Sequence, residues 1–563
     1  MRVSGNEMTE VAADDAVLNS AAFLGANSRI YEWLVKRAQR EDRGRRPEIV
    51  LGHVASAARF AATFHPGRFA DGAIENIALE IGMGIPKLVS QDRGFVLPAT
   101  RKQNQRRILH VTSHLLAIGG HTRMLHHWVR NDRSSHHSVV TVNQGNVAIP
   151  GWLSDAVRSS GGDLVALPSE APLCQKAGWL REIARQTADL VVLHHDGCDV
   201  VPTVAFGGLD CPPVAVLNHA DHVFWLGSSV SDMVINLRTA GSEHTSKRRF
   251  VSSNCVIPIP LENPVSHVSQ RDARRTLSIP GDQIVLLSIG RAEKYRSCGS
   301  YDFVATAWKI LDRHPHAHLY VVGESSKGIV PHLRCPLHER LHFVGTIEDP
   351  SLYRSAADIY LESFPFGSQT ALLEAALSGL PVVPAYAPLF PLLVANDDAI
   401  LDLLPNPANE EEYVASIELL IKQPKRRLEL GEALRKRLLF DHVGEGWLDR
   451  LDKLYQHTDG LRHGPRQIPT SPCSTLAADI ALSLWHVRAD GKTNCSSAPG
   501  GAVVAELRHH AFVAKYVDNY GIARRMALSA VWIDPYRWTS WRLLIITVLG
   551  KLGRLFRRAA SRA

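Results

Sequence analysis

The segment ADIYLESFPFGSQTALLEAALSGLPVVP, residues 357–384, has the pattern of a buried strand, a short polar loop, a helix and a second apolar run. The loop brings together Gly367, Ser368, Gln369 and Thr370. Glycine allows close approach of the backbone to a ligand, and hydroxyl and amide side chains can hydrogen-bond it. The free N–H groups at the start of a helix attract an anion. The segment therefore predicts an α/β unit with a binding site for a nucleotide diphosphate.

Glu374 lies one turn into the predicted helix, where its carboxylate could accept hydrogen bonds from the two hydroxyls of a ribose. The alternative for the whole segment is an ordinary strand-turn-helix unit, in which Ser368 or Thr370 only caps the helix. Both interpretations are compatible with the loop chemistry taken alone.

The stretch SFPFGSQTALLEA resembles the donor-binding element of GT-B glycosyltransferases, both the family-four (group 1) enzymes and the O-GlcNAc transferase-like group. The resemblance extends over roughly residues 105–457 and is strongest over 283–384. It implies two Rossmann-like domains facing across a cleft and a nucleotide-diphosphate sugar as donor. It also implies a glycan, lipid-linked or protein acceptor, with no required metal or cofactor. The family-four pattern has a glutamate eight residues before Glu374, where this chain has Phe366.

Size and composition fit a protein of several globular domains. The chain has 563 residues, of which 45% are hydrophobic and 21% charged. Its eight cysteines are scattered without metal-ligand spacing, which favours a reducing, cytoplasmic location. The first residues are acidic and resemble no signal peptide, and no apolar run is long enough to span a membrane.

The net charge of +7 is mostly a property of the C-terminal tail. Six basic residues and no acidic ones follow position 541, and subtracting these six leaves +1 for the rest of the chain. Nucleic acid is therefore not an expected partner. Residues 541–556 form an amphipathic pattern with a basic face, which predicts a helix either lying on an anionic membrane surface or packed on its own domain.

Apolar periodicity divides the chain into four regions. Residues 1–100 read as a helical N-terminal region, 101–262 as a Rossmann-like acceptor domain, 263–457 as a Rossmann-like nucleotide-sugar domain, and 458–563 as a linker and helical tail. Short apolar runs alternate with helical segments in both middle regions, which predicts parallel sheets with helices on their faces. The predicted strands are 108–112, 138–142, 164–167, 190–193, 214–218, 233–236, 283–289, 317–322, 341–344, 359–362 and 381–384.

A basic cluster follows the first strand of the second α/β region. Arg291, Lys294 and Arg296 come directly after the run that ends at Ile289. A cation at this strand end can neutralise the diphosphate as it becomes a leaving group. Family-four enzymes have an arginine and a lysine five positions apart, a spacing matched by Arg291 and Arg296, whereas the O-GlcNAc transferase-like spacing is matched by Arg291 and Lys294. We expect Arg291 and Lys294 to act in catalysis and Arg296 to bind substrate.

Other predicted donor contacts rest on the same resemblance. Gly323 lies at a strand end that resembles the lining of the donor pocket, and Val344 lies in a segment that resembles the one contacting the base. In the first region, Gly119 and Gly120 follow the first strand and open a helix, so their amides could meet the donor phosphate or the acceptor. They do not form the GxGxxG fingerprint of a dinucleotide site.

Three histidines follow strands of the first region and are candidate general bases toward an acceptor hydroxyl. They are His195, after the fourth strand, and His219 and His222, after the fifth. Adjacent His194 and His195 point to opposite sides of the chain, so at most one of them faces the cleft. Metal binding by these histidines with Asp196 is a further option, but the resemblance implies no metal.

The sequence leaves three functional hypotheses. The first is a glycosyltransferase acting in polysaccharide or glycoconjugate assembly. The second is a nucleotide-sugar epimerase of the same fold. The third is a non-catalytic protein that binds a nucleotide sugar or glycan and anchors an assembly through its tail.

Overall fold

The computed structural model describes most of the chain. The described residues are 22–86, 105–117, 120–263, 268–298, 300–325, 337–386, 397–489, 507–508, 511–512, 514–515, 519–533, 535–536 and 538–560.

The first α/β unit is built on a seven-stranded sheet in which every pairing is parallel. Its strands are β1 (Arg107–Thr112), β2 (His136–Thr141), β3 (Leu164–Ala166), β4 (Leu190–Leu193), β5 (Val214–Leu217), β6 (Met233–Asn236) and β7 (Asn254–Val256). They lie in the order β3-β2-β1-β4-β5-β6-β7. Nearly every residue of β1, β4, β5 and β6 is buried, as expected for strands covered by helices on both faces.

The second α/β unit is a five-stranded parallel sheet. Its strands are β8 (Ile284–Ile289), β9 (Ala317–Val322), β10 (Leu341–Gly345), β11 (Ile359–Leu361) and β12 (Val382–Val383). They lie in the order β10-β9-β8-β11-β12. The predicted fold class, two Rossmann-like domains with helical extensions at both ends, is confirmed.

Helices connect the strands and form both extensions. They are Ala22–Arg40, Pro47–Phe64, Gly72–Met83, Gly120–Asn131, Gly151–Ser159, Leu173–Thr187, Val201–Ala205, Ala240–Arg248, Gln270–Thr276, Phe303–Arg313, Ser351–Ala356, Gln369–Leu377, Glu410–Lys422, Pro424–Leu438, Glu445–Asp459, Ala477–Ala489, Tyr520–Ile533 and Trp538–Ala560.

Each sheet has one point at which the order of strands reverses. In the first sheet this point lies between β1 and β4, and in the second between β8 and β11. Loops that leave the carboxyl ends of two such strands diverge to opposite faces and open a crevice between them. The loops predicted to carry the site follow these four strands or their neighbours.

Two elements differ from the sequence-based expectation. The seventh strand, β7, was not predicted, because its three half-buried residues give no clear alternation. The helix Glu445–Asp459, expected to close the second unit, also contacts the first. Tyr455 Oη accepts a hydrogen bond from Trp128 Nε1 at 3.1 Å and donates one to Asp132 Oδ2 at 2.7 Å. The helix therefore ties the two units together.

The N-terminal helices pack against the first sheet and share its core. One buried carboxylate holds them in place. Glu75, in the helix Gly72–Met83, accepts hydrogen bonds from the N–H groups of Gly227, Ser228 and Ser229 at 2.8, 3.1 and 3.2 Å, and from Ser229 Oγ at 2.7 Å. Burial raises the pKa of Glu75, and these hydrogen bonds oppose the rise.

Removal of the Glu75 carboxylate should therefore loosen the N-terminal helices. In Glu75→Ala the three main-chain donors stay buried without their acceptor, and we expect a loss of about 3 kcal/mol in the free energy of unfolding. Denaturant unfolding of the variant measures it. The control is Glu411→Ala, an exposed position where we expect a change within about 0.5 kcal/mol. Equal stability of the two variants would contradict this role of Glu75.

Candidate active site

The loops after β8 and β11 meet directly. A Cβ atom built on Gly290 would lie 3.0 Å from Ser368 Oγ and 3.0 Å from Lys294 Cδ. Across the cleft, a Cβ atom built on Gly120 would lie 3.6 Å from Thr370 Oγ1. The start of the helix Gly120–Asn131 in the first unit thus faces the start of the helix Gln369–Leu377 in the second. Gly119 lies outside the described residues.

Lys294 is a cation that contacts the loop after β11. Its Nζ donates a hydrogen bond to the carbonyl of Gly367 at 2.5 Å and lies 3.8 Å from the centroid of the Phe366 ring. Burial lowers the pKa of Lys294 to about 8, while the negative charge of Glu362 opposes that shift. The ammonium group therefore remains positively charged near neutral pH and is fixed beside the loop.

Glu362 is buried beneath the same loop, and the sequence analysis assigned it no role. It accepts hydrogen bonds from Ser363 N and Oγ at 3.0 and 3.1 Å, and a close one from Ser368 N. Burial raises the pKa of Glu362 to about 7, against the effect of these hydrogen bonds and of Lys294. The one feature of the sequence that could have pointed to Glu362 is its position as an acidic residue at the end of a buried apolar run. The carboxyl group holds the loop from below.

The start of the helix Gln369–Leu377 presents polar groups to the cleft. Ser368 is the N-cap residue, but its side chain makes no capping hydrogen bond within the described part of the chain, so its hydroxyl can serve a ligand. Thr370 is half-buried and faces Gly120. Gly367 supplies the carbonyl that Lys294 holds.

The remaining predicted residues of the second unit lie at or near the same strand ends. Arg291 is 78% exposed and pairs with Glu293 at 3.0 Å. The Nε atom of Arg296 is buried and has no hydrogen-bond partner among the described residues. Gly323 has a φ of 106°, and a Cβ atom there would lie 2.7 Å from the carbonyl oxygen of Gly290, so this position requires glycine. Val344 is half-buried in β10.

Glu374 is held by two arginines, a pairing that the sequence did not indicate. Arg354 Nη1 donates to its carboxylate at 2.9 Å, and Arg123 Nη1 of the first unit lies 3.9 Å away. Glu374 lines a cavity of about 500 Å³ between the two units. Other lining residues include Ala117, Trp152, Asn263, Glu348, Leu352 and Ser378.

The structure separates the three candidate histidines. His195 Nε2 donates to the carbonyl of Leu226 at 2.7 Å, within its own unit. His222 faces the loop after β11, with its ring centroid 4.8 Å from that of Phe366. His219 stacks on His121, with centroids 4.1 Å apart, next to the helix start that faces Thr370. The last two therefore border the cleft.

A helix from the C-terminal extension reaches this region. Trp485, in the helix Ala477–Ala489, packs with its ring centroid 4.8 Å from that of Phe366 and 6.2 Å from that of His222. The sequence gave no signal for this contact, because more than a hundred residues separate Trp485 from the loop it touches. The extension thus forms one wall of the cleft.

His194, one of the residues weighed as metal ligands, has both ring nitrogens bonded to other histidines. Within the described ranges, a different set of three potential ligands comes together, His126, His127 and Glu262, with ligand atoms within 4.8 Å of one another. They line the same cavity as Glu374. Glu262 already pairs with Arg130 at 2.6 Å, so a cation there must compete with this ion pair.

Comparison with known proteins finds a family to which part of the second unit is similar. Residues 283–423 match the family described as "Glycosyl transferases group 1". A D-inositol 3-phosphate glycosyltransferase of Corynebacterium aurimucosum is 27% identical over 173 residues, which cover 29% of this chain and 40% of that protein. The chain thus spans about two fifths of the length of this curated relative. The predicted resemblance to group 1 glycosyltransferases is confirmed over the matched residues.

Solved structures with similar folds are more remote. Thermobaculum terrenum O-GlcNAc transferase is 14% identical, with a TM-score of 0.46, over 78% of this chain and 85% of that one. The Anabaena protein HepE in complex with UDP and glucose is 16% identical, with a TM-score of 0.49, over 63% of this chain and 100% of that one.

The raised pKa of Glu362 predicts a pH dependence of stability. Because its folded pKa of about 7 exceeds the ordinary value of 4.5, the folded protein binds this proton more tightly than the unfolded chain does. The stabilisation is full below about pH 4.5 and is lost as the pH rises through about 7. Glu362→Gln resembles the protonated carboxyl at every pH. We therefore expect its Tm to rise relative to that of the wild type between about pH 5 and 8.

Thermal unfolding at several pH values measures this difference. The control is Glu411→Gln, an exposed carboxyl whose loss should leave the Tm profile parallel to that of the wild type. A parallel profile for Glu362→Gln as well would show that Glu362 titrates normally.

Proposed function

We propose that this protein is a glycosyltransferase that moves a sugar from a nucleotide-diphosphate sugar to a hydroxyl group of a glycan, lipid-linked or protein acceptor. One observation carries the proposal. The loops after β8 and β11 and the helix start after β1 converge at the strand-order reversals of both sheets. Lys294 donates to the Gly367 carbonyl, and a Cβ atom built on Gly120 would lie 3.6 Å from Thr370 Oγ1. Ligands of open α/β sheets bind at such points.

The donor diphosphate would lie against the start of the helix Gln369–Leu377. The first main-chain N–H groups of a helix point away from the helix body, and the helix dipole favours negative charge there. Ser368, Gln369 and Thr370 add polar side chains at the same place. Lys294 places a positive charge beside the loop after β11, and the exposed Arg291 lies directly after the end of β8.

The nucleoside would occupy the cavity of about 500 Å³ that Glu374 lines. Ligand cavities of this size typically bury most of a small molecule. The ion pairs with Arg354 and Arg123 hold the Glu374 carboxylate in place, and its free lone pairs can accept hydrogen bonds from ribose hydroxyls.

The chemistry requires stabilisation of the leaving group. As the bond between the sugar and the diphosphate breaks, negative charge accumulates on the phosphate oxygen, and a cation already in position stabilises this charge more than it stabilises the bound donor. Lys294 and Arg291 have this role in the proposal. The acceptor would enter from the side of the first unit, where His219 and His222 border the cleft.

Binding and turnover of nucleotide sugars test the proposal. We expect one member of a set of UDP-, GDP- and ADP-sugars to raise the Tm, since a ligand at one hundred times its Kd stabilises the folded state by about 2.7 kcal/mol. We also expect release of the nucleoside diphosphate and a glycosylated product on adding acceptor. Epimerised sugar without transfer would indicate an epimerase, and tight binding without turnover a binding protein. Absence of any Tm shift would contradict the proposal.

Arg291→Gln tests the electrostatic part of the mechanism. Arg291 is exposed and pairs only with a neighbouring side chain among the described residues, so its loss should not affect folding. We expect kcat to fall by at least about tenfold with a smaller change in KM for the donor, because the charge matters most in the transition state. The control is Arg158→Gln, an equally exposed arginine on the outer helix Gly151–Ser159. A change in KM alone would assign Arg291 to binding only.

We further propose that the C-terminal extension attaches the enzyme to an anionic membrane surface. Three aromatic side chains at the turn between the helices Tyr520–Ile533 and Trp538–Ala560 are strongly exposed. They are Trp532 at 88%, Tyr536 at 97% and Trp538 at 68%. Aromatic rings of this kind favour the membrane interface, and the exposed Arg542 of the following helix would favour anionic lipid. In the described part of the chain, no helix combines the length and hydropathy needed to cross a bilayer.

Sedimentation with lipid vesicles tests the attachment. We expect binding to phosphatidylcholine vesicles that contain phosphatidylserine, weaker binding without it, and a decrease with salt. Replacing Trp532 and Trp538 by alanine should reduce the bound fraction several-fold. Leu428→Ala, which removes a leucine 74% exposed on the second unit, should not. Equal binding by the two variants would contradict this surface.

A further inference from the structure

Four histidines form a continuous hydrogen-bonded chain across the first sheet. His137 Nδ1 lies 3.0 Å from His110 Nε2, His110 Nδ1 lies 2.9 Å from His194 Nε2, and His194 Nδ1 lies 3.0 Å from His219 Nε2. His110 and His137 are fully buried and His194 nearly so. The last member, His219, is half-buried at the cleft.

The strand register explains how these four rings meet. His137 of β2 is opposite Ile108 of β1, two residues before His110, so the side chains of the two histidines project from the same face. His110 is in turn opposite Val192 of β4, two residues before His194. Each step from one strand to the next therefore brings the following histidine two residues closer to the carboxyl edge of the sheet, where the cleft lies.

The partners of His137 set the direction of all the protons in the chain. His137 Nε2 lies 3.2 Å from both Asp132 Oδ2 and the main-chain carbonyl of Asp132, and both of these atoms only accept hydrogen bonds. Nε2 must therefore carry the hydrogen, and in the neutral ring Nδ1 must accept one from His110. The same alternation continues along the chain. It ends at His219, whose Nε2 is protonated and whose Nδ1 carries the lone pair of the neutral ring.

Asp132 is a suitable anchor for the far end. It is buried, and it accepts hydrogen bonds from Tyr455 Oη at 2.7 Å and from Ser134 N and Oγ at 3.1 and 2.7 Å. Burial alone would raise the pKa of Asp132, but its hydrogen bond and charge attraction with His137, together with the hydrogen bonds from Tyr455 and Ser134, outweigh burial and hold that pKa below the ordinary value. The group therefore stays a carboxylate.

We propose that this chain is a proton relay that lets His219 act as the general base of the transfer reaction. The Nδ1 atom of His219 takes the proton of the acceptor hydroxyl, and its Nε2 proton passes to His194 Nδ1. The Nε2 proton of His194 passes to His110 Nδ1, and that of His110 to His137 Nδ1. Each imidazole gains one N–H bond and loses one, apart from His137, which becomes an imidazolium beside the Asp132 carboxylate. This inference rests on the proposed function.

A relay avoids leaving a positive charge on His219 alone, where burial makes such a charge costly. Burial lowers the pKa of His194 to about 3 and holds the pKa values of His110 and His219 well below the ordinary range. His219 also faces His121 of the helix Gly120–Asn131, and His194 and His195 after β4, each of which disfavours a positive charge on it. A proton held by His219 alone would be costly, whereas His137 has a carboxylate beside it.

The protonation pattern can be measured without any assumption about substrate. Nitrogen NMR of ¹⁵N-histidine-labelled wild-type protein distinguishes protonated from bare ring nitrogens. We expect Nε2 protonated and Nδ1 bare in His110, His137, His194 and His219, with couplings across the three hydrogen bonds. A protonated Nδ1 on neutral His219 would overturn the relay, whatever the protein catalyses.

Asp132→Asn tests the direction of the chain. The main-chain N–H of Ser134 can only donate, so the amide oxygen of the new side chain should keep that contact and its NH₂ group should face His137. The new NH₂ group then competes with the main-chain carbonyl of Asp132 for His137 Nε2. We expect Nε2 to accept from the NH₂ group, so that every tautomer in the histidine chain reverses and His219 Nδ1 becomes a donor. We expect the transfer rate to fall about a hundredfold or more, the usual contribution of general-base catalysis. Donor KM should be little changed.

The matched control is Asp155→Asn, which removes an exposed carboxylate of the same unit and should keep the wild-type rate. An Asp132→Asn protein with reversed tautomers and an undiminished rate would overturn the relay and leave the proposed function intact. A wild-type protein that turns over no nucleotide sugar would overturn the proposed function instead. If Asp132→Asn fails to fold, the tautomers of the wild type decide whether the relay stands.

Discussion

The contact of Lys294 with the loop after β11 is the interaction on which the site depends. An ammonium group loses hydration when it is partly buried, so it must find compensating partners. Lys294 finds the Gly367 carbonyl, the face of the Phe366 ring and the negative charge of Glu362. These contacts bind the two loops of the second unit together and place a fixed positive charge beside the start of a helix. A donor diphosphate would therefore meet a site that is already ordered.

The two sheets extend this arrangement across the cleft. Each sheet reverses its strand order once, and the loops from both reversals face one another through Gly120 and Thr370. The helix Glu445–Asp459 spans both units, and its Tyr455 contacts Asp132, the anchor of the histidine chain. The helix that joins the two units thus also contacts the carboxylate that orients the histidines. The contact of Tyr455 with Asp132 therefore both stabilises the fold and holds the carboxylate that anchors the proposed proton relay.

Much of the fold followed from local patterns. Strand positions such as those of β4 and β6 were predicted to the residue, because a short apolar run in a doubly covered sheet is distinctive. The loop after β11 and the helix that follows it were predicted because their residue types, order and spacing resemble those of a known family. What escaped prediction depends on contacts between distant residues, as with the pairing of Arg354 with Glu374 and the packing of Trp485 on Phe366. Among 27 histidines, no sequence feature singled out the four that meet across the sheet.

A crystal structure of the protein with a bound nucleoside diphosphate tests the central claim most directly. We expect phosphate oxygens to accept hydrogen bonds from the main-chain N–H groups of Gln369 and Thr370, with Lys294 and Arg291 on the other side and the ribose next to Glu374. A diphosphate bound elsewhere, with the start of this helix empty, would contradict it.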